Sequence, residues 1–241
     1  MAYQAIFQRY EMKYMLTQAQ KAALLQVMAP YMALDRFGRT TICNLYYDMD
    51  SYRLIRRSLE KPAYKEKLRV RSYGTASETS PVFVELKKKY QDVVYKRRVS
   101  LPQNEAAAWM RGGEVREPSQ ITAEIDYVRG YYEDLRPVVF LSYEREAFFM
   151  RDGGDFRVTF DENILCREAH LTLTEPAWGA PLLPEGLVLM ELKTSGGIPL
   201  WMTRFLTQNH IYKTSFSKYG TAYQTLIFPE KQYQKGERKY A

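Results

Sequence analysis

Cysteine and histidine are nearly absent from this chain. Among 241 residues there are two cysteines, Cys43 and Cys166, and two histidines, His170 and His210. Two distant cysteines provide neither a disulfide framework nor a zinc cluster, and their scarcity favours a reduced, cytoplasmic setting. Neither histidine lies in a recognisable motif, so we interpret both as structural or surface residues. No Ser-His-Asp type of nucleophilic site is visible.

Long apolar runs and a glycine-rich phosphate loop are missing as well. Apolar runs such as 137–141 and 186–190 are far too short to span a bilayer, and the N-terminus lacks the pattern of a signal peptide. No glycine-rich loop precedes a Lys-Ser or Lys-Thr pair, which argues against a Walker-type nucleotide site. Since repeats and long linkers are also absent, we expect a single domain over residues 1–228 and a basic flexible tail over 229–241.

The composition is that of a folded, moderately basic protein. Hydrophobic residues make up 46% of the chain and aromatic residues 14%, which is enough for a sizeable core and argues against disorder. There are 35 Lys and Arg residues against 28 Asp and Glu, a net charge of +7. This excess is consistent with a phosphate-rich partner without identifying one.

Charged and apolar residues alternate in three short runs between residues 64 and 99. In strands, such alternation places every second side chain on one face. The charged faces would carry Lys67, Arg69 and Arg71, then Glu85, Lys87 and Lys89, then Lys96 and Arg98. One such face alone is typical of an antiparallel strand exposed to water. Three adjacent faces of mostly one sign are not, because like charges opposite each other destabilise a sheet, so we predict a polyanion site.

Further strands and helices follow from periodicity and capping signals. The predicted helices cover 17–31, with a Thr17–Gln20 capping box, and 50–59, 104–111, 119–132 and 200–209. The other predicted strands are 6–14, 41–48, 138–150, 156–164 and 187–195, and the pattern also allows an edge hairpin over 166–175. About eight strands with charge on one face predict an α+β fold, built as a closed antiparallel eight-stranded β-barrel with a few flanking helices and a polar lumen.

The alternation assigns many charged residues to the inside of this barrel. The predicted inward cations are Arg9, Lys13, Lys67, Arg69, Arg71, Lys87, Lys89, Lys96, Arg98, Arg145, Arg157 and Lys193. The predicted inward carboxylates are Glu11, Glu85, Asp161 and Glu191. So much enclosed positive charge requires water or a strong polyanion as compensation. Phosphate oxygens suit Arg and Lys, and the carboxylates suit Mg²⁺ or Mn²⁺, which together are sufficient for phosphoryl transfer.

An ordered set of motifs resembles a known family. The motifs are Arg9-Tyr10-Glu11-Met12-Lys13-Tyr14, Leu45-Tyr46-Tyr47-Asp48, Lys67-Leu68-Arg69-Val70-Arg71, Val84-Glu85-Leu86-Lys87, Lys96-Arg97-Arg98, Ser142-Tyr143-Glu144-Arg145, Arg157-Val158-Thr159-Phe160-Asp161, Met190-Glu191-Leu192-Lys193 and Ser217-Lys218-Tyr219. Together they resemble the polyphosphate polymerase domain of the vacuolar transporter chaperone (VTC) family, a branch of the triphosphate tunnel metalloenzymes. The resemblance covers about residues 6–223.

The resemblance implies a site and a reaction. It implies an eight-stranded tunnel in which the γ-phosphate of ATP passes to a growing polyphosphate chain and ADP is released, with Mn²⁺ or Mg²⁺ as cofactor. Residue by residue, it implies that the triphosphate or chain is contacted by Lys13, Arg69, Arg71, Lys87, Lys96, Arg145 and Lys218, and that Glu191 holds the metal. The alternation of charged and apolar residues, and not the resemblance, adds secondary candidates: for phosphate contact Arg9, Lys67, Lys89, Arg98, Arg157 and Lys193, and for the metal Glu11, Glu85 and Asp161.

Two departures from the pattern qualify what the resemblance implies. Related hydrolases and cyclases commonly open with Glu-x-Glu-x-Lys, whereas this chain has Arg9, Glu11 and Lys13 at those positions, which weakens a hydrolase or cyclase assignment. Eukaryotic relatives carry a sensor domain and membrane helices that this sequence does not contain, so it resembles a stand-alone catalytic domain of the bacterial kind.

Three other functions stay open beside the polymerase. They are a tri- or polyphosphate hydrolase, a non-catalytic polyanion-binding module and a nucleic-acid binder. The 20 tyrosines could stack on bases, but the aromatic residues mostly alternate with the charged ones and so belong to the opposite face. We therefore expect ATP and inorganic polyphosphate as partners and no nucleic acid.

Overall fold

Eleven β-strands and six α-helices make up the part of the chain described by this computed structural model, residues 10–91 and 93–229. The strands are β1 (Tyr10–Thr17), β2 (Met32–Leu34), β3 (Thr40–Asp48), β4 (Tyr64–Tyr73), β5 (Pro81–Tyr90), β6 (Val93–Pro102), β7 (Arg136–Met150), β8 (Arg157–Arg167), β9 (Ala180–Pro181), β10 (Leu187–Thr194) and β11 (Lys213–Thr214). The helices are α1 (Gln18–Met28), α2 (Arg53–Leu59), α3 (Gln103–Met110), α4 (Gln120–Tyr131), α5 (Leu200–Gln208) and α6 (Lys218–Ala222), which continues into a π-helical turn (Tyr223–Ile227).

The chain forms two compact units. Within the described residues, unit 1 comprises 10–41, 143–164 and 183–216, and unit 2 comprises 42–142, 165–182 and 217–229. No described helix is both long enough and apolar enough to cross a membrane. The expected single domain over residues 1–228 stays a prediction, and the expected tail, apart from Pro229, lies outside the described residues.

Unit 1 is a sheet with helices α1 and α5 on its apolar side. Its strand order is β11-β1-β10-β8-β7, with β2 beside β7. The core beneath the helices is built from alternate strand residues such as Leu16, Phe160 and Met190, together with Leu24 of α1 and Met202 of α5. The intervening strand residues therefore lie on the other face, which carries the charged side chains.

Unit 2 repeats this division of faces. Its strand order is β7-β3-β4-β5-β6, and β9 pairs with β8. Leu68, Val84 and Leu86 are fully buried in its core, which also contains Trp109 of α3 and Ile125 of α4. The predicted alternation of the three basic strands is therefore confirmed: the apolar positions pack into the core, and the charged positions share the opposite face.

The α+β class and the antiparallel sheet are confirmed, but a closed eight-stranded barrel is not. The sheet has eleven strands, and in neither unit does the strand order of the described residues return to its first strand. Eight of the strands have eight or more residues, and these correspond to the strands predicted from the sequence. The additional strands, β2, β9 and β11, have only two or three residues, too few for an alternating pattern to be recognised.

Capping residues set where the longer helices begin. The Thr17 hydroxyl accepts a hydrogen bond from the backbone N–H of Gln20 at 3.2 Å, and the Gln20 side chain accepts one from the Thr17 N–H at 2.9 Å, as predicted. The helical spacing of Ala22, Leu25, Met28 and Ala29 predicts that these four residues form the buried face of α1, but Ala22 and Ala29 are exposed, and Lys21 is buried instead. The Lys21 ammonium can lie there because it is paired with Glu146 and Glu162.

Replacing Thr17 by alanine should lower the free energy of unfolding by about 1 kcal/mol, because an N-terminal amide of α1 loses its acceptor. The measurement is urea denaturation followed by circular dichroism. Thr207→Ala is the matched control, since Thr207 is an exposed residue inside α5 and alanine is favourable there. An equal loss in both variants would mean that the cap contributes nothing.

The predicted edge hairpin over 166–175 is wrong. Strand β8 continues to Arg167, and the chain then follows an irregular path to β9. The buried Arg167 guanidinium donates to the carbonyls of Ala169, His170 and Trp178 and stacks on Phe140 at 3.5 Å. These contacts satisfy the backbone of the irregular segment without strand pairing.

Candidate functional site

Cross-strand register brings the cations of unit 2 together around one carboxylate. Across β4, β5 and β6, Arg69 pairs with Glu85, and Glu85 pairs with Arg98. Two residues further along each strand, on the same face, Lys67 pairs with Lys87, and Lys87 pairs with Lys96. We call Arg69, Arg71, Lys96, Arg98 and Glu85 the basic cluster.

Glu85 is the centre of the basic cluster and is only 2% exposed. Its Oε2 lies 2.7 Å from Arg69 Nη2 and 3.9 Å from Arg71 Nε. Its Oε1 lies 2.7 Å from Lys96 Nζ and 3.5 Å from Arg98 Nε. Because four cations face a single carboxylate, the cluster keeps an excess of positive charge.

The cations also determine the protonation state of Glu85. Burial by itself would raise the pKa of the carboxyl, but the charges of Arg69, Arg71 and Lys96 outweigh burial and lower it to about 2. The carboxylate therefore stays ionised under all ordinary conditions. It serves as a fixed counterion that holds the basic side chains in place.

Two uncharged residues of β3 complete the cluster, and sequence reasoning missed both. The Asn44 side-chain oxygen accepts a hydrogen bond from Arg71 Nε at 2.9 Å, and the Tyr46 hydroxyl accepts one from Arg69 Nη1 at 3.0 Å. Both residues follow from the register, in which Asn44 pairs with Arg71 and Tyr46 with Arg69. The alternation within β3 would have found them only if β3 had been known to lie beside β4.

Helix α6 brings a further part of the sequence to the same unit. The Tyr219 hydroxyl donates to Asp48 Oδ2 at 3.0 Å, and the Tyr219 ring lies 4.8 Å from the Tyr46 ring. Just before α6, the Ser217 hydroxyl accepts a hydrogen bond from Lys67 Nζ at 3.3 Å. These contacts fix the start of α6, where the predicted phosphate ligand Lys218 lies.

Unit 1 holds a second group of charged residues, which we call the carboxylate cluster: Asp161, Glu191, Lys13, Arg145 and Lys193. Asp161 is fully buried, and both of its oxygens accept hydrogen bonds from Arg145 at 2.6 Å. The cations around Glu191 lie further away: Arg145 Nη2 at 3.4 Å, Lys13 Nζ at 3.5 Å and Lys193 Nζ at 3.5 Å. The two carboxylates therefore differ in how closely their cations approach.

The Arg145 guanidinium is permanently charged. Burial opposes its charge, but Asp161 and other nearby groups raise its pKa well above the ordinary value. The bidentate geometry to Asp161 is the arrangement in which Arg and carboxylate bind most strongly. Both oxygens of Asp161 therefore help to orient Arg145.

The donor set for a divalent cation is small. Across the described ranges, no group of three or more His, Cys, Asp or Glu side chains converges so as to hold a metal ion. Mg²⁺ and Mn²⁺, however, commonly use one or two carboxylates together with substrate phosphates and water. Glu191 and Glu11 fit that role best, because their oxygens lie 3.5 and 3.6 Å from the same Lys13 ammonium, so both carboxylates lie beside a position that a cation already occupies.

The other predicted residues are less well supported by the geometry. Glu85 lies among four cations, which suits a counterion better than a metal ligand. Arg157 is exposed at the start of β8, and no residue within 10–91 or 93–229 forms an ion pair with it. Lys87 is exposed on β5, beside Lys67 and Lys96 in the register, and Lys89 is half-buried further along the same strand. Arg9 lies outside the described residues.

The fold and the two clusters define an antiparallel α+β protein with charged strand faces. The chain belongs to the VTC domain family, whose model matches residues 8–227. The family recognised from the ordered motifs is thereby confirmed. No curated protein matches the chain.

Solved structures share this fold. A candidate adenylate cyclase from Bacillus halodurans is 12% identical, with a TM-score of 0.54 and coverage of 88% of this chain and 94% of that one. A candidate adenylyl cyclase from Hippeastrum, described as having a dominant triphosphatase activity, is 16% identical, with a TM-score of 0.54 and coverage of 89% and 94%. At such low identity the similarity shows the fold alone.

Proposed function

We propose that this protein is an ATP-dependent polyphosphate polymerase that transfers the γ-phosphate of ATP to a growing inorganic polyphosphate chain. The observation that carries the proposal is the basic cluster of unit 2, in which four cations share one buried carboxylate. Membership of the VTC family supports the same substrate class. The closed eight-stranded tunnel of the family remains part of this proposal.

The basic cluster would bind phosphate groups through Arg69, Arg71, Lys96 and Arg98. Arg presents a planar fork of N–H donors that matches two phosphate oxygens, and Lys adds a point charge. Glu85 keeps these donors in one geometry before the substrate arrives, so little reorganisation is needed on binding. Lys87, exposed beside Lys96, and Lys218 at the start of α6 would add further phosphate contacts.

The carboxylate cluster would hold a divalent cation, Mn²⁺ or Mg²⁺, through Glu191 with Glu11. When bound, such an ion neutralises phosphate charge and orients the oxygens of the transferred group. Arg145, fixed by Asp161, would bind a phosphate oxygen in unit 1. Lys13 would do the same with the part of its hydrogen-bonding capacity that is not used by the Phe216 carbonyl, at 2.7 Å.

The reaction itself needs no protein nucleophile. A terminal oxygen of the acceptor chain attacks the γ-phosphorus, the bond from that phosphorus to the bridging oxygen breaks, and ADP leaves with the electron pair. The fixed cations would stabilise the charge that develops on ADP and on the transferred group. The absence of a recognisable Ser-His-Asp arrangement in the sequence is consistent with this mechanism.

A tri- or polyphosphate hydrolase is the second candidate. It is favoured by the Hippeastrum protein, which shares the fold and is described by its triphosphatase activity. The same cations would bind the triphosphate, and water would attack instead of a phosphate chain. The sequence Arg9-x-Glu11-x-Lys13 supports the polymerase instead, because it lacks the first carboxylate of the pattern common in hydrolases.

The products decide between the two candidates. The purified protein is incubated with ATP and Mn²⁺, the products are resolved on a gel stained for polyphosphate, and ADP and orthophosphate are measured in parallel. We expect long chains with an equivalent amount of ADP. Orthophosphate without chains would replace the polymerase by the hydrolase, and no turnover with any divalent cation would contradict both.

Two neighbouring lysines of β5 provide a matched test of the phosphate-binding face. Lys87 lies on the charged face, is exposed, and has no ion pair or hydrogen bond to other parts of the described chain, whereas Lys88 lies on the opposite face, 3.8 Å from Glu124. Lys87→Ala should raise the KM for ATP about tenfold, the cost of one exposed phosphate contact of about 1.4 kcal/mol. Lys88→Ala should leave KM unchanged, and equal effects would contradict the assignment of faces.

A further inference from the structure

Tyr46 is placed in the basic cluster although no charge pattern marks it. It lies on β3, opposite Arg69 of β4, and is 8% exposed. Its hydroxyl accepts a hydrogen bond from Arg69 Nη1 at 3.0 Å, while the same guanidinium binds Glu85 through Nη2 at 2.7 Å. Arg69 thus connects the tyrosine hydroxyl directly with the centre of the cluster.

The hydroxyl of Tyr46 accepts a hydrogen bond but donates none to the described residues. A phenol both donates and accepts, and here the oxygen accepts from Arg69, whereas no acceptor for its own hydrogen lies among the residues that the structure describes. A nearly buried donor that makes no hydrogen bond lowers the stability of the folded protein, unless another group accepts its hydrogen. In a cluster with excess positive charge, the missing acceptor is most simply an anion.

The ring of Tyr46 is held in place by aromatic packing. It lies 4.8 Å from the ring of Tyr219, and the Tyr219 hydroxyl is bound to Asp48. Asp48 is itself fixed, since it also accepts hydrogen bonds from the backbone N–H groups of Leu54 and Ile55 at 2.9 Å. The Tyr46 hydroxyl is therefore preorganised and does not need to be recruited by a ligand.

We propose that Tyr46 is a further substrate-contacting residue, whose hydroxyl donates a hydrogen bond to an oxygen of the phosphate group bound by Arg69. The inference rests on the proposed function for the class of ligand and deepens it by adding a neutral donor to the cationic site. A neutral donor adds a directed hydrogen bond to the bound oxygen without increasing the positive charge of the site.

The donor role depends on the protonation state of Tyr46. Burial would raise the pKa of the phenol, but the charges of Arg69, Lys67 and Arg71 on β4 outweigh burial and lower it to about 8. The other polar groups around it are Glu85 on β5, held through Arg69, then Tyr219 on α6, and Asn44 and Asp48 on its own strand.

The lowered pKa has a consequence for binding. Below about pH 8 Tyr46 is neutral and donates, whereas above it the phenolate has lost its hydrogen, pairs with Arg69 and repels an anion. Binding of a phosphate chain must therefore weaken as the pH rises through about 8. By linkage, a bound chain must raise the pKa of Tyr46 by the corresponding amount.

Absorbance at 295 nm, which reports tyrosinate, tests the environment of Tyr46 without any turnover. Because Tyr73 beside Arg98 also has a lowered pKa, the titration is made in a Tyr73→Phe background. There, one tyrosine should ionise about 2 pH units below an ordinary tyrosine, and inorganic tripolyphosphate should shift that step to higher pH. Tyr46→Phe should abolish the step. Tyr47→Phe is the matched control, because Tyr47 is the next residue of β3 on the core face. A step that survives Tyr46→Phe, or one that tripolyphosphate does not move, would overturn the proposal.

Calorimetric titration with tripolyphosphate, without metal or ATP, tests the contact itself. At pH 7, Tyr46→Phe should raise Kd about tenfold. At pH 9.5 the wild type carries the phenolate and should bind no more tightly than Tyr46→Phe, while Tyr47→Phe should follow the wild type throughout. Equal affinities of wild type and Tyr46→Phe at pH 7 would refute the contact and leave the polymerase unaffected. Weaker binding by Tyr46→Phe in a protein that makes no chains would support the contact and refute the polymerase. A wild type that does not bind tripolyphosphate would overturn both.

Discussion

Replacing Glu85 by glutamine is expected to lower the free energy of unfolding by about 3–5 kcal/mol, the usual cost of removing one partner from a buried ion pair. The substitution changes the shape of the side chain very little, so the effect is electrostatic. It leaves Arg69, Arg71, Lys96 and Arg98 without their shared counterion, and it places a neutral amide at the buried centre of the cluster. Urea denaturation at pH 7 provides the measurement.

Glu124→Gln is the matched control for Glu85→Gln. Glu124 is also a carboxylate paired with two cations, with Arg97 at 3.1 Å and Lys88 at 3.8 Å, but its side chain is 25% exposed. The loss there should be no more than about 1 kcal/mol, because exposed pairs are weakened by solvent. If both variants lost the same stability, Glu85 would not be the counterion that the geometry indicates.

The pH dependence of the same interaction has a definite sign. The pKa of Glu85 is lowered from the ordinary 4.5 to about 2 in the folded protein, so the folded state binds the proton less readily than the unfolded state. The stabilisation is fully present above pH 4.5 and is lost as the pH falls towards 2. A shift of this size corresponds to about 3 kcal/mol, in agreement with the cost expected for Glu85→Gln. The variant should show a correspondingly smaller loss of stability over this range.

A bound polyanion should restore much of the stability that Glu85→Gln loses. Tripolyphosphate would replace the missing carboxylate as counterion, and a ligand that binds only the folded state stabilises it by mass action. The increase in stability on adding tripolyphosphate should therefore be larger for Glu85→Gln than for the wild type. This difference connects the structural role of Glu85 with the proposed binding of phosphate, because both depend on the same four cations.

The sequence was sufficient to predict which faces of the long strands are charged. Period two is a property of a strand by itself, so Lys67, Arg69 and Arg71 could be assigned to one face without knowing any neighbour. The caps at Thr17 and Ser119 could also be predicted from neighbouring residues alone, and both caps are present in the structure. Local rules of this kind account for the eight long strands and the positions of the longer helices.

Pairing between distant strands was beyond the sequence pattern. Nothing local to β3 indicates that Asn44 and Tyr46 bind Arg71 and Arg69, because that depends on which strand lies beside β3 and in which register. The same applies to Lys21, a charged residue on the buried face of α1, whose partners Glu146 and Glu162 lie more than 100 residues away. Assignments within one strand could therefore be made, whereas the ligands of each charged group required the structure.

The sequence also did not show which carboxylate is a counterion, which one orients an arginine and which one could hold the metal. Glu85, Asp161 and Glu191 all alternate with apolar residues in the same way, and all were candidates for the metal. In the structure, Glu85 is the shared counterion of four cations, and Asp161 is bound through both oxygens by Arg145. The cations Arg145, Lys13 and Lys193 lie 3.4 to 3.5 Å from Glu191, and these longer distances are the reason why we propose Glu191 as the metal ligand.

Replacing Glu191 by glutamine should therefore reduce turnover about 10²–10³-fold, a typical cost of losing one group that stabilises charge in the transition state, while the protein stays folded. Two of the cations around Glu191 keep another partner, because Arg145 retains Asp161 and Lys13 retains the Phe216 carbonyl. Glu191→Gln should therefore destabilise the protein less than Asp161→Asn, because the Asp161 carboxylate accepts two hydrogen bonds from Arg145 at 2.6 Å. Turnover of ATP, thermal unfolding and Mn²⁺ binding followed by electron paramagnetic resonance in the presence of tripolyphosphate are measured on the same preparation.

The variant Asp161→Asn tests whether the two carboxylates have different roles, Glu191 as the proposed metal ligand and Asp161 as the residue that orients Arg145. A neutral amide in place of the Asp161 carboxylate would leave the Arg145 guanidinium with weaker partners at a buried position. This variant should therefore lose about 3–5 kcal/mol of stability and retain Mn²⁺ binding at temperatures where it is folded. Glu191→Gln should show the opposite combination, with a smaller loss of stability than Asp161→Asn and with Mn²⁺ binding lost. If Glu191→Gln bound Mn²⁺ as the wild type does, the metal would have to be held elsewhere, and the carboxylate cluster would contribute to the reaction only through the cations that it orients.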